Sequence, residues 1–244
     1  MNISVVVPIQ IASPEFSIYL EHLSLCIEAL HCQTVPCEIV LVNYNSAPQY
    51  RDSIDAIGKK CKCVHYHCED KIWSRGRSLN VGIRNSYGEL ILFVDSDCIA
   101  PKYYTKKHLA AIGEPNTGFT FSKFWNTTQA INKSGNYEKL MGQKSCLLPP
   151  LADCCSHQGF RRTTLQKFGL FDEQYRGWGA EDNDLFLRMK RASIRPIEVD
   201  AKLVHLWHPS WQEMMNSAGR GEEQKNTLET NRQRFFAYKK TGQK

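Results

Sequence analysis

The feature that most constrains the fold is a rhythm in the first 94 residues, where short apolar runs alternate with amphipathic helical stretches. Residues 3–8, 37–43, 63–67 and 90–94 read as strands, rich in Val, Ile and Leu and bounded by polar or turn-forming residues. Between them, 19–31 and 75–86 repeat apolar residues at helical spacing, the second stretch ending before Gly88. Strands separated by helices form βαβ units, so the expected architecture is α/β, a Rossmann-like three-layer α/β/α fold with a mainly parallel central sheet. The last of these strands, Leu-Ile-Leu-Phe-Val, runs straight into Asp95-Ser96-Asp97. Acids at the carboxyl end of a buried strand lie where open α/β sheets bind ligands, because the loops there converge on a crevice. A nucleotide site is the natural inference.

At 244 residues with 42% hydrophobic composition, the chain is expected to form one domain over 1–244. Within it, 1–114 reads as a nucleotide-binding half, 115–209 as a second half that completes the site, and 210–244 as a helical tail. Residues 115–150 read as a short strand at 119–124 followed by loops and one short helix. Helices follow at 163–168 and 181–192, with a strand ending near His205. The net charge of +6 is modest and scattered apart from Arg232, Arg234, Lys239, Lys240 and Lys244, so no nucleic-acid partner is expected. Peripheral contact of that basic end with an anionic membrane is the alternative to a solvated helix. No apolar run approaches the length of a membrane span and no signal peptide is legible, so the expected location is cytoplasmic, with peripheral membrane contact as its variant. Ten irregularly spaced cysteines without CxxC knuckles read as reduced thiols rather than zinc ligands, including Cys61, Cys63, Cys68, Cys154 and Cys155.

Four constellations carry chemistry. Asp95-Ser96-Asp97 presents hard oxygens on rigid backbone, as a divalent ion holding a diphosphate requires, although two acids at a strand end also suit a solvated turn. His205-Leu-Trp-His208 sets two imidazoles close enough to face one manganese or magnesium ion together with the acidic pair; ordinary packing is the alternative. Gly177-Trp178-Gly179-Ala180-Glu181-Asp182 combines turn-forming glycines, an indole face for a sugar ring and two acids opening a helix. Helix electrostatics explains either acid singly but not the Trp-Gly before them. In the functional reading, Asp182 takes a proton from an attacking hydroxyl and Glu181 grips the acceptor. Finally, Trp73-Ser74-Arg75-Gly76-Arg77-Ser78-Leu79-Asn80 puts cations at a helix mouth, fit for phosphate or a uracil edge, or simply a solvated basic turn. Asn43 and Ser46 follow the second strand at the base-binding end.

The run FGLFDEQYRGWGAEDNDLFLRM resembles the C-terminal signature of β-1,4-galactosyltransferases, polypeptide N-acetylgalactosaminyltransferases and chondroitin-type polymerases. The N-terminal half resembles family 2 glycosyltransferases of the GT-A fold. This resemblance implies that Asp95 and Ser96 contact the donor, Asp97 ligates manganese with His205 and His208, and Pro8, Asn43, Ser46, Trp73, Arg75 and Asn80 line the donor site. It also implies that Trp178 bridges donor and acceptor sugars, that Gly179 and Glu181 bind the acceptor, and that Asp182 is the base. LVNYNS carries Asn43 where the family usually has an acid, Pro8-Ile-Gln10 lacks the galactosyltransferase arginine, and Ala180 replaces a loop glycine.

The expected activity is therefore metal-dependent, inverting transfer of a hexose or N-acetylhexosamine, with a lean to Gal or GalNAc, from a UDP-sugar to a hydroxyl. The acceptor is a saccharide or lipid-linked saccharide, as in polysaccharide synthesis, or alternatively a peptide or protein. A nucleotidyltransferase would want a Gly-rich basic loop after the first strand, which IQIASPEF lacks. A catalytically silent nucleotide-sugar-binding module is the remaining alternative. Nothing in 116–157 or the tail reads as an acceptor motif or as a signal of subunit number.

Overall fold

The computed structural model describes residues 1–69, 72–113, 117–127, 147–148 and 157–242. In chain order the elements are β1 (Ile3–Ile9), α1 (Ile18–His31), β2 (Glu38–Tyr44), α2 (Arg51–Ile57), β3 (Lys62–Tyr66), α3 (Arg75–Asn85), β4 (Leu90–Phe93), β5 (Cys98–Ile99) and α4 (Tyr104–Gly113). They continue as β6 (Thr117–Ser122), β7 (Phe124–Thr127), β8 (Leu147–Leu148), β9 (His157–Arg161), α5 (Arg162–Phe168), α6 (Glu181–Arg191), β10 (Arg195–Glu198), β11 (Leu203–His205), α7 (Trp211–Ser217) and α8 (Gly221–Thr241).

Seven strands form the main sheet in the order β10-β6-β9-β4-β1-β2-β3. The β1–β2, β1–β4, β2–β3 and β6–β10 pairs are parallel, and β9 alone runs against its neighbours β4 and β6. The expected α/β/α layering with a mainly parallel sheet is what the chain forms. β1 shows why. All seven of its residues are buried, and successive side chains enter opposite faces. Val5, Val7 and Ile9 pack with Leu23, Cys26, Ile27 and Leu30 of α1. Val6 packs on the other face with Leu79, Val81 and Ile83 of α3, which share that layer with Leu185 and Met189 of α6. α3 lies close enough that a Cβ at Gly82 would run into Val6 and Val42, so this helix needs a glycine there.

A second sheet, β5-β11-β7-β8, was not expected from the sequence. It matters because antiparallel pairing of β11 with β5 sets His205 opposite Cys98, the residue after Asp97. The strand expected at 119–124 divides into β6 and β7, and β9 joins the main sheet where no element was anticipated. The short helix expected within 115–150 lies outside the described residues, as do Cys154 and Cys155. Among the described residues, Cys26, Cys32, Cys37, Cys61, Cys63, Cys68 and Cys98 are free thiols. No described helix is long and apolar enough to cross a membrane.

Candidate active site

The carboxyl ends of β1, β2, β3 and β4 share one edge of the sheet, and the acidic segment leaves β4 at that edge. The Leu206 amide donates to the Asp97 carbonyl at 2.8 Å, which fastens the histidine segment beside the acids. The Asp97 Oδ2 atom then lies 3.4 Å from His205 Nε2 and 3.4 Å from His208 Nε2. One ligand atom from each residue falls within 4.8 Å of the others.

Chemistry favours a cation among these three. The His208 Nδ1–H donates to the Pro209 carbonyl at 2.7 Å, which turns the Nε2 atom toward the Asp97 carboxylate. Two electron-rich atoms at that distance need a proton or a metal ion between them. Burial would raise the Asp97 pKa, yet His205 and His208 hold the carboxyl well below its usual range. Burial opposes the charged form of His205, and Asp97 outweighs it and raises that pKa. One carboxylate with two imidazoles is a donor set suited to Mn²⁺.

Asp95 turns to a different partner. Its Oδ1 accepts from Arg75 Nε at 2.7 Å, and the same guanidinium lies 3.6 Å from Glu181 Oε1. Arg75 is deeply buried, yet Asp95, Glu181 and Asp182 overcome the burial penalty and keep it charged. It therefore joins the acids after β4 to those opening α6. His157, pushed down to about 4 by burial, packs as a neutral ring 3.6 Å from Asp95. Burial, with Asp182 beside it, pushes Glu181 up to about 7, and burial raises Asp182 as well. The two share a site and titrate as a coupled pair.

The loop before these acids is held in backbone conformations that side chains resist. Gly177, Gly179 and Ala180 have φ of +68°, +97° and +77°. At Gly177 a Cβ would also strike Thr227 of α8. Ala180 tolerates the left-handed region at a cost of roughly 1–2 kcal/mol, part of which glycine returns as unfolded-state entropy. Ala180→Gly is accordingly expected to stabilise the fold by up to about 1 kcal/mol, a rise of roughly 2–4 °C in a thermal melt.

α8 supplies a residue that motif reading missed. Asn231 is 2% exposed, and its Nδ2 donates to the carbonyls of Arg176, Trp178 and Gly179 at 2.7, 3.2 and 3.1 Å. Its Oδ1 accepts from the Arg176 amide at 3.3 Å. One side chain thus closes the loop from within. Asn231→Ala is expected to lower the melting temperature and to cut turnover about 10- to 100-fold, because misplacing Asp182 by an ångström suffices for that. Manganese-dependent nucleotide affinity should stay within about threefold, since this loop is not part of the metal trio.

The sequence matches glycosyl transferase family 2 over residues 4–169, more than half of the chain. The chain belongs to glycosyl transferase family 2. Residues 158–209, spanning the loop, both acids and both histidines, match the N-terminal domain of galactosyltransferase. No curated protein matches the chain. Among solved structures it is similar to S. aureus TarS 1-349 in complex with UDP-GlcNAc, at TM-score 0.60 and 17% identity, covering 89% of this chain and 65% of that one. It is also similar to the mannosyltransferase PcManGT of Pyrobaculum calidifontis in complex with GDP-Man and Mn²⁺, at TM-score 0.61 and 15% identity, covering 87% and 59%. GalNAc-T7 with UDP, GalNAc and Mn²⁺ matches at TM-score 0.61 and 13% identity, covering 86% and 44%. The chain thus spans no more than 65% of the length of these three. The shared fold is GT-A.

Within this family 2 fold the remaining candidates divide. Pro8 sits in β1 opposite Val42, and Asn43 lies one residue before the end of β2 with its Nδ2 3.0 Å from His65 Nδ1. Trp73 stands edge-on to Tyr44 with ring centroids 5.5 Å apart, and its carbonyl accepts from the Gly177 amide at 2.6 Å. Ser96 is buried between the two acids. Trp178 is 54% exposed, an indole face free to meet a ligand. Ser46 and Asn80 instead have partners inside the protein. The Ser46 Oγ accepts from the Ile11 amide at 2.9 Å, joining the ends of β1 and β2. Asn80 Nδ2 donates to the Phe171 carbonyl and Glu173 Oε1, both at 2.9 Å, while its Oδ1 accepts from the Phe171 amide at 3.1 Å. Its amide ties α3 to the segment that leads into the 177–180 loop, a role the donor-site reading did not foresee. Asp184, a third acid in the first turn of α6, is fully buried and paired with Arg188 at 3.0 Å.

Proposed function

We propose that this chain is a metal-dependent, inverting glycosyltransferase that moves a hexose or N-acetylhexosamine from a UDP-sugar to a hydroxyl of a saccharide acceptor. The observation that carries the reading is the junction made by Arg75, which links the acids after β4, beside the Asp97, His205 and His208 trio, to the acids opening α6. A donor-binding end and a proton-accepting end therefore lie within one crevice. Support also comes from the GT-A relatives, which carry UDP-GlcNAc, GDP-Man or UDP with GalNAc.

Asp97, His205 and His208 would hold a Mn²⁺ or Mg²⁺ ion, which when bound neutralises charge on the leaving diphosphate. Asp182 receives the acceptor's proton as its oxygen forms the new bond to C1. The bond from C1 to the phosphate oxygen breaks on the opposite face, and UDP departs with the electron pair. Attack opposite to the leaving group inverts the anomeric centre. Glu181, holding its proton up to about pH 7, is suited to hydrogen-bond an acceptor hydroxyl. Trp178 offers its exposed face to a sugar ring.

The test is a screen of UDP-sugars against saccharide acceptors with Mn²⁺, read by proton NMR of the product's anomeric signal. A product of inverted configuration is expected. A retained configuration would contradict the assignment of Asp182 as base.

A further inference from the structure

On the last strand of the main sheet a second group of ligand atoms converges, well formed and unrelated in sequence to the acids after β4. Cys63 and His65 are two apart on β3, so both side chains leave the same face, and Asp55 reaches them from α2. His65 Nε2 is 2.8 Å from Asp55 Oδ1, Cys63 Sγ is 3.4 Å from the same oxygen, and the sulfur is 3.7 Å from His65 Nε2. A tetrahedral zinc ion with bonds of about 2.0–2.3 Å sets its ligand atoms about 3.3–3.6 Å apart. The sulfur distances already match that triangle, and the oxygen needs to retreat only by about half an ångström. Its carboxylate has room to do so, since the Asp55 side chain is 43% exposed and its other oxygen lies 4.0 Å from the exposed Arg51.

We propose that Asp55, Cys63 and His65 form a zinc site whose fourth coordination position faces solvent. A thiolate, a carboxylate and a neutral imidazole balance the charge of Zn²⁺, and nitrogen, sulfur and oxygen together are a donor set that zinc takes readily. Binding would form bonds from zinc to Sγ, Nε2 and Oδ1, release the thiol proton and shift the single proton of the neutral ring from Nε2 to Nδ1. The ring then keeps its proton on Nδ1, so Asn43 must offer His65 its oxygen instead of its nitrogen. Zinc would in this way clamp α2 to the sheet's edge strand and fix the orientation of Asn43, the residue at the base-binding end. The sequence reading weighed cysteines alone, and Asp55 and His65 come to Cys63 only in the fold.

The test uses the whole chain, stripped of metal and then loaded with Co²⁺. A near-ultraviolet thiolate-to-cobalt charge-transfer band is expected, displaced by Zn²⁺ and lost in Cys63→Ser. The Asp97, His205 and His208 trio contains no sulfur and cannot produce that band, so the result does not depend on the proposed activity. In wild-type protein, Zn²⁺ should slow iodoacetamide modification of Cys63 by about tenfold or more, because a metal-bound sulfur is a poor nucleophile; this needs no variant to fold. Absence of the band in wild-type protein, its persistence in Cys63→Ser, or alkylation of Cys63 unchanged by zinc would each overturn the proposal.

Discussion

An Asp182→Asn variant is expected to lose about 10²- to 10⁴-fold in turnover while binding UDP with Mn²⁺ nearly as tightly as the parent. The two effects separate because of where Asp182 sits. It opens α6 beside Glu181, and the proposed metal trio draws on the turn before β5, on β11 and on the segment after it. Asparagine keeps the volume and can still accept from the Asn183 amide, as Asp182 Oδ1 does at 2.7 Å. It cannot carry away the acceptor's proton. Burial disfavours charge at both Asp182 and Glu181, so removing one of the two also relieves their mutual repulsion. The variant should therefore melt no lower than the parent, which distinguishes lost chemistry from lost structure. Normal turnover in Asp182→Asn would move the base to another residue.

The second large effect concerns Asp97. Asp97→Ala is expected to reduce Mn²⁺-dependent UDP affinity about 100-fold or more, since even partners one shell removed from a metal contribute 10- to 100-fold. Affinity for UDP measured in EDTA should change little. His205 and His208 remain in the variant but lose the carboxylate that neutralises one charge of the ion and raises the His205 pKa. Calorimetric titration of UDP with and without Mn²⁺ reads both numbers. Undiminished metal-dependent affinity in Asp97→Ala would remove this residue from the metal site.

β1, β2 and β4 were legible because parallel strands covered on both faces are continuous apolar runs, and α3 because Gly88 marks where it must end. β9 was not legible. His157, Gln158 and Gly159 carry no apolar signal, and the strand is buried only because β4 and β6 pair with it from either side. The two- to four-residue strands of the small sheet are likewise products of pairing between distant segments. Asp95, Asp97, Glu181 and Asp182 were legible because each stands in a short motif. Asn231 was not, since it lies on a polar helix and its work is done on backbone carbonyls far away in the chain. Arg75 was found but its principal partners were not: a basic residue at a helix mouth suggested phosphate, whereas the fold sets it between Asp95 and Glu181.

The most direct test of the central claim is calorimetric titration of the purified chain with UDP and with GDP, each in Mn²⁺ and in EDTA. The account predicts UDP binding that depends on Mn²⁺ and exceeds that of GDP. Binding of either nucleotide that is indifferent to EDTA, or no binding at all, would contradict it.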